Sequence, residues 1–203
     1  MRQNIFSRIL ATPCGDLIVQ STGQEIICCD WCAGRRRERI ARRLHNAFPQ
    51  ALDMNCSDAL IDRAAQELSE YFDGRRRTFD LPLRLIGTNF QRAVWQVLTT
   101  LEYGRLATYA EVAAAVGRPK AVRAVGMAVG ENPCSILVPC HRVVGKHQTL
   151  AGYGGGLEAK LFLLRTEGFE LMMSKAPLRA ERLRRVVTLN DEKEHLPLVE
   201  KRK

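Results

Sequence analysis

The sequence predicts an α+β fold: a mixed α/β N-terminal part, then a mostly helical part carrying a helix-turn-helix pair. Three observations predict it. Short apolar runs between turn-forming pairs mark a small sheet ahead of residue 32. Apolar residues recur at helical spacing between residues 88 and 130. The texture of the chain changes twice, which divides it into 1–85, 86–172 and a polar tail over 173–203.

Leu17, Ile18 and Val19 form one strand-like run, and Ile26 and Ile27 another. Gly15-Asp16 and Thr22-Gly23 read as turns beside them, so a small antiparallel sheet is expected. A helix is expected over about 34–48 and a second over about 57–73. In the second, Ser57 is the expected N-cap, and Leu60, Ala64, Leu68 and Phe72 repeat at helical spacing. Asp73-Gly74 ends it, and RRRTFDLPLRLIGT reads as an extended crossover because Pro82 disfavours helix.

Asn89 to Leu101 reads as an amphipathic helix capped by Thr88, with Phe90, Val94, Val97, Leu98 and Leu101 inward. Glu111 to Val116 gives a short helix that Gly117 stops. Pro119 can open a third, over about 119–129, at the first helical position, where its missing N–H is not needed. Val122, Val125 and Val129 share one face of it, beside a stripe of Ala121, Ala124 and Ala128. Two short helices joined by VGRP resemble a helix-turn-helix pair. In the tail, residues 178–187 can form a short helix.

Composition narrows the function classes. Of 203 residues, 46% are apolar, so the chain can bury a core and is not globally disordered. No apolar run is long enough to span a bilayer, and Arg8 interrupts the stretch where a leader would be apolar; neither a membrane helix nor a secretory signal is expected. The formal charge of +9 favours an anionic partner such as nucleic acid, although a solubilising basic surface has the same composition. Seven cysteines are an odd number and too few for a disulfide scaffold, so a reducing cytoplasm fits. The Arg-rich segment RRRERIARR, residues 35–43, reads either as a phosphate-contacting surface or as the wet face of a helix.

The sharpest chemical feature is ILVPCHRVVG, residues 136–145. A cysteine between apolar runs is ordinarily inert packing. Here His141 and Arg142 follow Cys140 at once, and cationic neighbours raise the thiolate fraction. Adjacent strand residues point to opposite sides, so Cys140 and His141 need a bend or a relaying water to act together. Pro139 makes a bend plausible. A histidine base is best held by a carboxylate, and Glu167 in RTEGF is the available one.

With GTNFQRAVWQVL, ATYAEVA, GRPKAVRAVG, ENP, VPCHRVVG, GYGGG and KLFLLRTEG in this order, the chain resembles the O6-alkylguanine-DNA alkyltransferases. TPCGDL and LSEYFDG in the first half fit the same pattern. The resemblance implies a ribonuclease-H-like N-terminal domain and a helical, winged-helix-like DNA-binding domain that holds the reactive thiol. It implies that Cys140 accepts the alkyl group, that His141 acts through a water as its base, and that Glu167 orients that histidine. Asn132 would brace the turn bearing the thiol, and Tyr109 would help protonate the leaving base. Val143 and Cys140 would offer carbonyls to the exocyclic amine, and Gly154 a backbone N–H to O6, while Gly152 and Tyr153 shape the pocket wall. Arg123 would enter the base stack, and Ala121, Ala124 and Gly126 would keep its helix thin against the minor groove.

The chemistry needs these residue types. A thiolate is nucleophilic enough to attack an unactivated methyl in line, and the guanine leaves once protonated. The product is a thioether that nothing in this inventory can cleave, so each molecule is expected to react once, on O6-alkylguanine or O4-alkylthymine, after the base is flipped. No cofactor and no metal are implied. Cys14, Cys28, Cys29 and Cys32 hint at zinc, but the family's zinc set is not matched here. The expected partner is double-stranded DNA containing O6-alkylguanine, met by a monomer, with no membrane partner, in the cytoplasm beside the nucleoid or, in a eukaryote, in the nucleus. The basic excess of the tail is expected to add nonspecific DNA affinity. Two rivals remain: a non-catalytic base-flipping damage sensor, and a thiol hydrolase, which would need direct Cys–His contact and would turn over.

Overall fold

The computed structural model describes residues 3–33, 36–171 and 183–185. Four strands form the first sheet: β1 (Asn4–Leu10), β2 (Leu17–Ser21), β3 (Ile26–Trp31) and β4 (Leu52–Met54), in the order β3-β2-β1-β4. β1, β2 and β3 pair antiparallel through their tight turns. β4 departs from the expected antiparallel pattern and runs parallel to β1. A helix, α1 (Arg36–Ala47), separates it from β3, and a connection of that length lets the chain return in the same sense. Every residue of β3 is buried: Ile26, Cys29 and Trp31 join the main core, while Ile27 and Cys28 pack with Ile40 and Leu44 of α1.

The helix α2 (Ala59–Phe72) is capped by Asp58, not Ser57; the Asp58 carboxylate accepts from the Ile61 N–H at 2.7 Å. Ser57 instead donates to the Asp62 carboxylate. The buried face is Ile61, Ala64, Leu68 and Tyr71, rotated by about one residue from the expected stripe. Leu60 and Phe72 flank it, half-buried. The crossover after α2 runs beside β3, with Ile26 N donating to Pro82 O and Arg84 N to Ile26 O.

The second half begins with α3 (Asn89–Thr99), capped as expected by Thr88, which exchanges hydrogen bonds with Gln91. Trp95, Val94 and Leu98 are its buried residues. Strand β5 (Ala107–Thr108) leads into α4 (Tyr109–Ala115), which starts two residues earlier than expected because Thr108 and Glu111 form a second capping box. Helix α5 (Val122–Gly130) starts three residues after Pro119, which stays in the preceding turn. Its buried face is Val125, Ala128 and Val129, and Val122 is exposed.

Strand β6 (Val143–Val144) pairs in parallel with β5, which fixes Tyr109 beside the segment following Cys140. Helix α6 (Gly156–Thr166) and β7 (Phe169–Leu171) complete this half. Residues Leu183–Arg185 form β8, paired antiparallel with β7, so the helix expected over 178–187 gives way to a strand there. Leu183 is buried with Leu164 and Phe169, a contact no helical propensity could announce. The remaining tail lies outside the described residues, as does any DNA contact expected of it.

At three positions the Arg-rich helix α1 makes contacts within the protein, although Arg39 also stays exposed, as the wet-face reading expects. Arg36 donates to Gly130 O, Arg39 to the Glu131 carboxylate and Arg43 to Glu131 O. They clasp the C-terminal end of α5, where orphan helix carbonyls accept cationic donors favourably.

Candidate active site

Cys140 opens a tight 3-10 turn, Cys140–Arg142, entered through Pro139. The turn supplies the expected bend. Cys140 is 3% exposed and His141 wholly buried, and among the described residues no hydrogen bond joins the two directly. His141 Nε2 lies 2.7 Å from Glu167 Oε1, whereas its Nδ1 is buried without a partner. Nδ1 is therefore the ring nitrogen that Glu167 does not engage.

Asn132, just past α5, organises the loop. Its Oδ1 accepts from Cys134 N at 3.0 Å, and its Nδ2 donates to Val138 O at 2.9 Å. The same Nδ2 lies 3.1 Å from Cys140 Sγ. Ile136, within this loop, has a φ of 72°, a left-handed conformation that a β-branched residue rarely adopts.

Glu167 follows α6 and is saturated with donors. Oε2 accepts from Gly104 N at 3.1 Å and Arg142 Nε at 3.0 Å. Oε1 accepts from an Arg142 terminal nitrogen at 2.9 Å and from the Tyr71 hydroxyl at 2.9 Å. Burial opposes ionisation of Glu167, but His141 and Arg142 outweigh it and hold the carboxyl at about 2. Burial also pushes His141 below its ordinary value, against the pull of Glu167, so the imidazole is neutral and able to accept a proton.

The thiol itself is held above its ordinary value by burial, partly offset by the Arg36 charge and the Asn132 contact. The expected acidifying effect of cationic neighbours is present but smaller than the cost of desolvating a thiolate. Lys160, fully buried on α6, donates to Val143 O at 2.5 Å and Ala151 O at 3.2 Å. Burial lowers its ammonium to about 8.

Cys140 lines a cleft of about 370 Å³ with Tyr109, Gly126, Gly152, Tyr153, Gly154 and Arg36. The Tyr109 phenol is raised by burial and then by Cys140, so it remains a proton donor at neutral pH. The Gly126 Cα faces the Tyr109 ring, where an added Cβ would stand 3.8 Å away. Val143 O and Cys140 O each already accept one hydrogen bond and keep a second lone pair. Arg123 and Ala124 lie exposed on the outer face of α5, and Ala121 is half-buried at its start.

Four participants escaped the sequence reading: Tyr71, Arg142 as a partner of Glu167, Lys160 and Arg36. Lys160 left a signal, a lone cation inside the apolar run of KLFLLRTEG. Arg36 left none, since it is one arginine among many. It reaches the cleft because Asp30, the Ser135 hydroxyl and Gly130 O pin its guanidinium. Cys28 and Cys29 belong to different buried clusters, and among the described residues no three His, Cys, Asp or Glu side chains form a metal-ligand set.

Comparison with known proteins gives a consistent result. Residues 5–85 match the family described as 6-O-methylguanine DNA methyltransferase, ribonuclease-like domain, and residues 89–169 its DNA binding domain. The chain is 41% identical over 157 residues to a methylated-DNA–protein-cysteine methyltransferase of Haemophilus influenzae, covering 77% of this chain and 82% of that one. It is 43% identical to the constitutive enzyme of that name from Bacillus subtilis, covering 77% of this chain and 91% of the relative. Among solved structures, the O6-methylguanine methyltransferase of Mycobacterium tuberculosis superposes with a TM-score of 0.68 at 35% identity, covering 80% of this chain and 92% of that one. The structure of that organism's protein in complex with DNA superposes equally well, covering 81% and 92%.

Proposed function

Because this chain belongs to the methylated-DNA–protein-cysteine methyltransferase family, we propose that it repairs DNA by moving the alkyl group of O6-alkylguanine, and of O4-alkylthymine, onto Cys140. The supporting observation is a single thiol at the wall of a base-sized cleft, backed by a histidine whose bare Nδ1 faces no other partner. The partner is duplex DNA met by a monomer in a reducing, DNA-containing compartment. Among the described residues no helix is long and apolar enough to cross a membrane. The division into 1–85, 86–172 and 173–203 assigns the alkyl transfer to the middle part.

The steps follow from the residues. The lesion base rotates out of the stack at a cost of a few kcal/mol, with Arg123 filling the gap. His141 Nδ1 takes the Cys140 proton through a water, while Glu167 balances the imidazolium charge. Sulfur then attacks the alkyl carbon in line, the C–O bond breaks, and its electron pair stays on the guanine. Tyr109 donates the proton that lets the base leave neutral. Val143 O, Cys140 O and the Gly154 N–H hold the guanine edge, and Gly152 and Tyr153 close the wall. Asn132 keeps the sulfur aimed at the cleft.

Mixing the protein with an O6-methylguanine duplex and weighing it intact tests this reading. The expected result is a gain of one CH2 at Cys140 that stops at one equivalent and vanishes in Cys140→Ser. A protein that binds the duplex but gains no mass would be a sensor. Repeated turnover of an acyl substrate would make it a thiol hydrolase.

A further inference from the structure

Tyr71 belongs to α2, in the first half of the chain, yet its phenol reaches the base that serves the thiol. It is fully buried among the rings of Phe72, Phe79, Tyr103 and His141. A phenylalanine would fill that aromatic space, and a buried hydroxyl is costly unless paired. Here it is paired with one atom of consequence. The hydroxyl donates to Glu167 Oε1 at 2.9 Å and stands 3.4 Å from His141 Nε2.

We infer that Tyr71 is a positioning residue for the alkyl transfer: its hydroxyl pins Glu167 Oε1 so that His141 keeps its proton on Nε2 and presents a bare Nδ1 towards Cys140. The inference rests on the alkyl-transfer reading and extends it into the half of the chain outside the thiol-bearing domain. Arg142 approaches the carboxylate from the turn, and Tyr71 from α2. Held by both, the carboxylate cannot rotate away from the imidazole. The opposite tautomer, with its proton on Nδ1, would set the Nε2 lone pair against Oε1 at 2.7 Å.

The hydroxyl also tunes the pair. By donating to Oε1 it withdraws charge that His141 would otherwise receive. Losing it leaves a stronger acceptor, so His141 holds its proton to higher pH. The other titratable or charged groups near this pair are Arg142 from the same turn, Tyr103, Tyr153 and, from α6, Lys160. None of these is altered in Tyr71→Phe.

The experiment follows the His141 ring nitrogens by 15N magnetic resonance across pH in the full chain, for wild type and Tyr71→Phe. Single-turnover methyl transfer is measured in parallel. In Tyr71→Phe the His141 titration and the acidic limb of the rate profile should both rise by about half a unit or more. The plateau rate should fall by about three- to ten-fold. Unmoved titration and limb overturn the inference, even if the variant melts earlier, because lost packing alone shifts neither. Site-specific 3-fluorotyrosine at position 71 keeps the fold and strengthens the donor, so the same quantities should move to lower pH; no movement there also overturns it. A wild type that transfers no methyl would defeat the function proposed above, while the resonance arm would still read His141 without substrate.

Discussion

The Asn132 side-chain nitrogen lies 3.1 Å from the Cys140 sulfur, and the same amide holds the backbone of Cys134 and Val138. One side chain therefore both shapes the loop and aims the thiol. Asn132→Ala should lose about 2 kcal/mol of stability, because buried backbone groups are left unpaired. It should also raise the thiol further, since the amide contact is one of the effects that lower it. Denaturant melts and the pH dependence of Cys140 alkylation by iodoacetamide check the two effects.

Glu167→Gln should be destabilising by about 3 kcal/mol near pH 7, because Arg142 stays buried without its counter-charge. The folded carboxyl sits at about 2, below its ordinary 4.5. Its contribution is therefore complete above pH 4.5 and drains away as pH falls towards 2. Urea melts at a series of pH values should show wild type and variant converging over that window.

Lys160 places a positive charge near Cys140 and lowers its thiol. Lys160→Met should slow methyl transfer at pH 7 by a few-fold, because the thiol loses one of the charges that favour its ionisation. In wild type that charge is lost as pH rises through about 8, so the two rates should approach each other above it. A wild-type rate that keeps its full advantage at pH 9 would contradict this role.

Arg123 is exposed on α5 and contributes nothing to the core. Arg123→Ala should slow transfer from duplex O6-methylguanine by about ten-fold or more, because the flipped state loses its wedge. Transfer from free O6-benzylguanine, which needs no flipping, should be unchanged. Equal losses on both substrates would place Arg123 in the fold instead.

A Cβ at Gly154 would overlap the Arg36 guanidinium, which Asp30, Ser135 and Gly130 hold in place. Gly154→Ala should cost about 1–3 kcal/mol through overpacking. Arg36→Ala should relieve part of that cost, so a double-mutant cycle on thermal melts should show coupling of about 1 kcal/mol.

Local chemistry was legible where it is self-contained. Thr88 caps α3 through a residue three positions on, so the signal and its partner share one window of sequence. VPCHRV announced Cys140 and His141, and the carboxylate came with RTEGF. Two local signals competed at the helix starts that shifted: Asp58 displaced Ser57 as a cap, and α5 begins after Pro119 rather than at it.

The first strands, the helices between residues 36 and 130 and the adjacency of Cys140 and His141 were thus written in short runs of residues, because capping and turn formation depend on near neighbours. Which buried face α2 turns inward, and so the meeting of Tyr71 with Glu167 96 positions away, was settled by packing two halves of the chain together. The same holds for the Arg36 guanidinium in the cleft and for the raised thiol. Each depends on burial and on charges brought close through space, and desolvation has no period or spacing that a linear sequence can display.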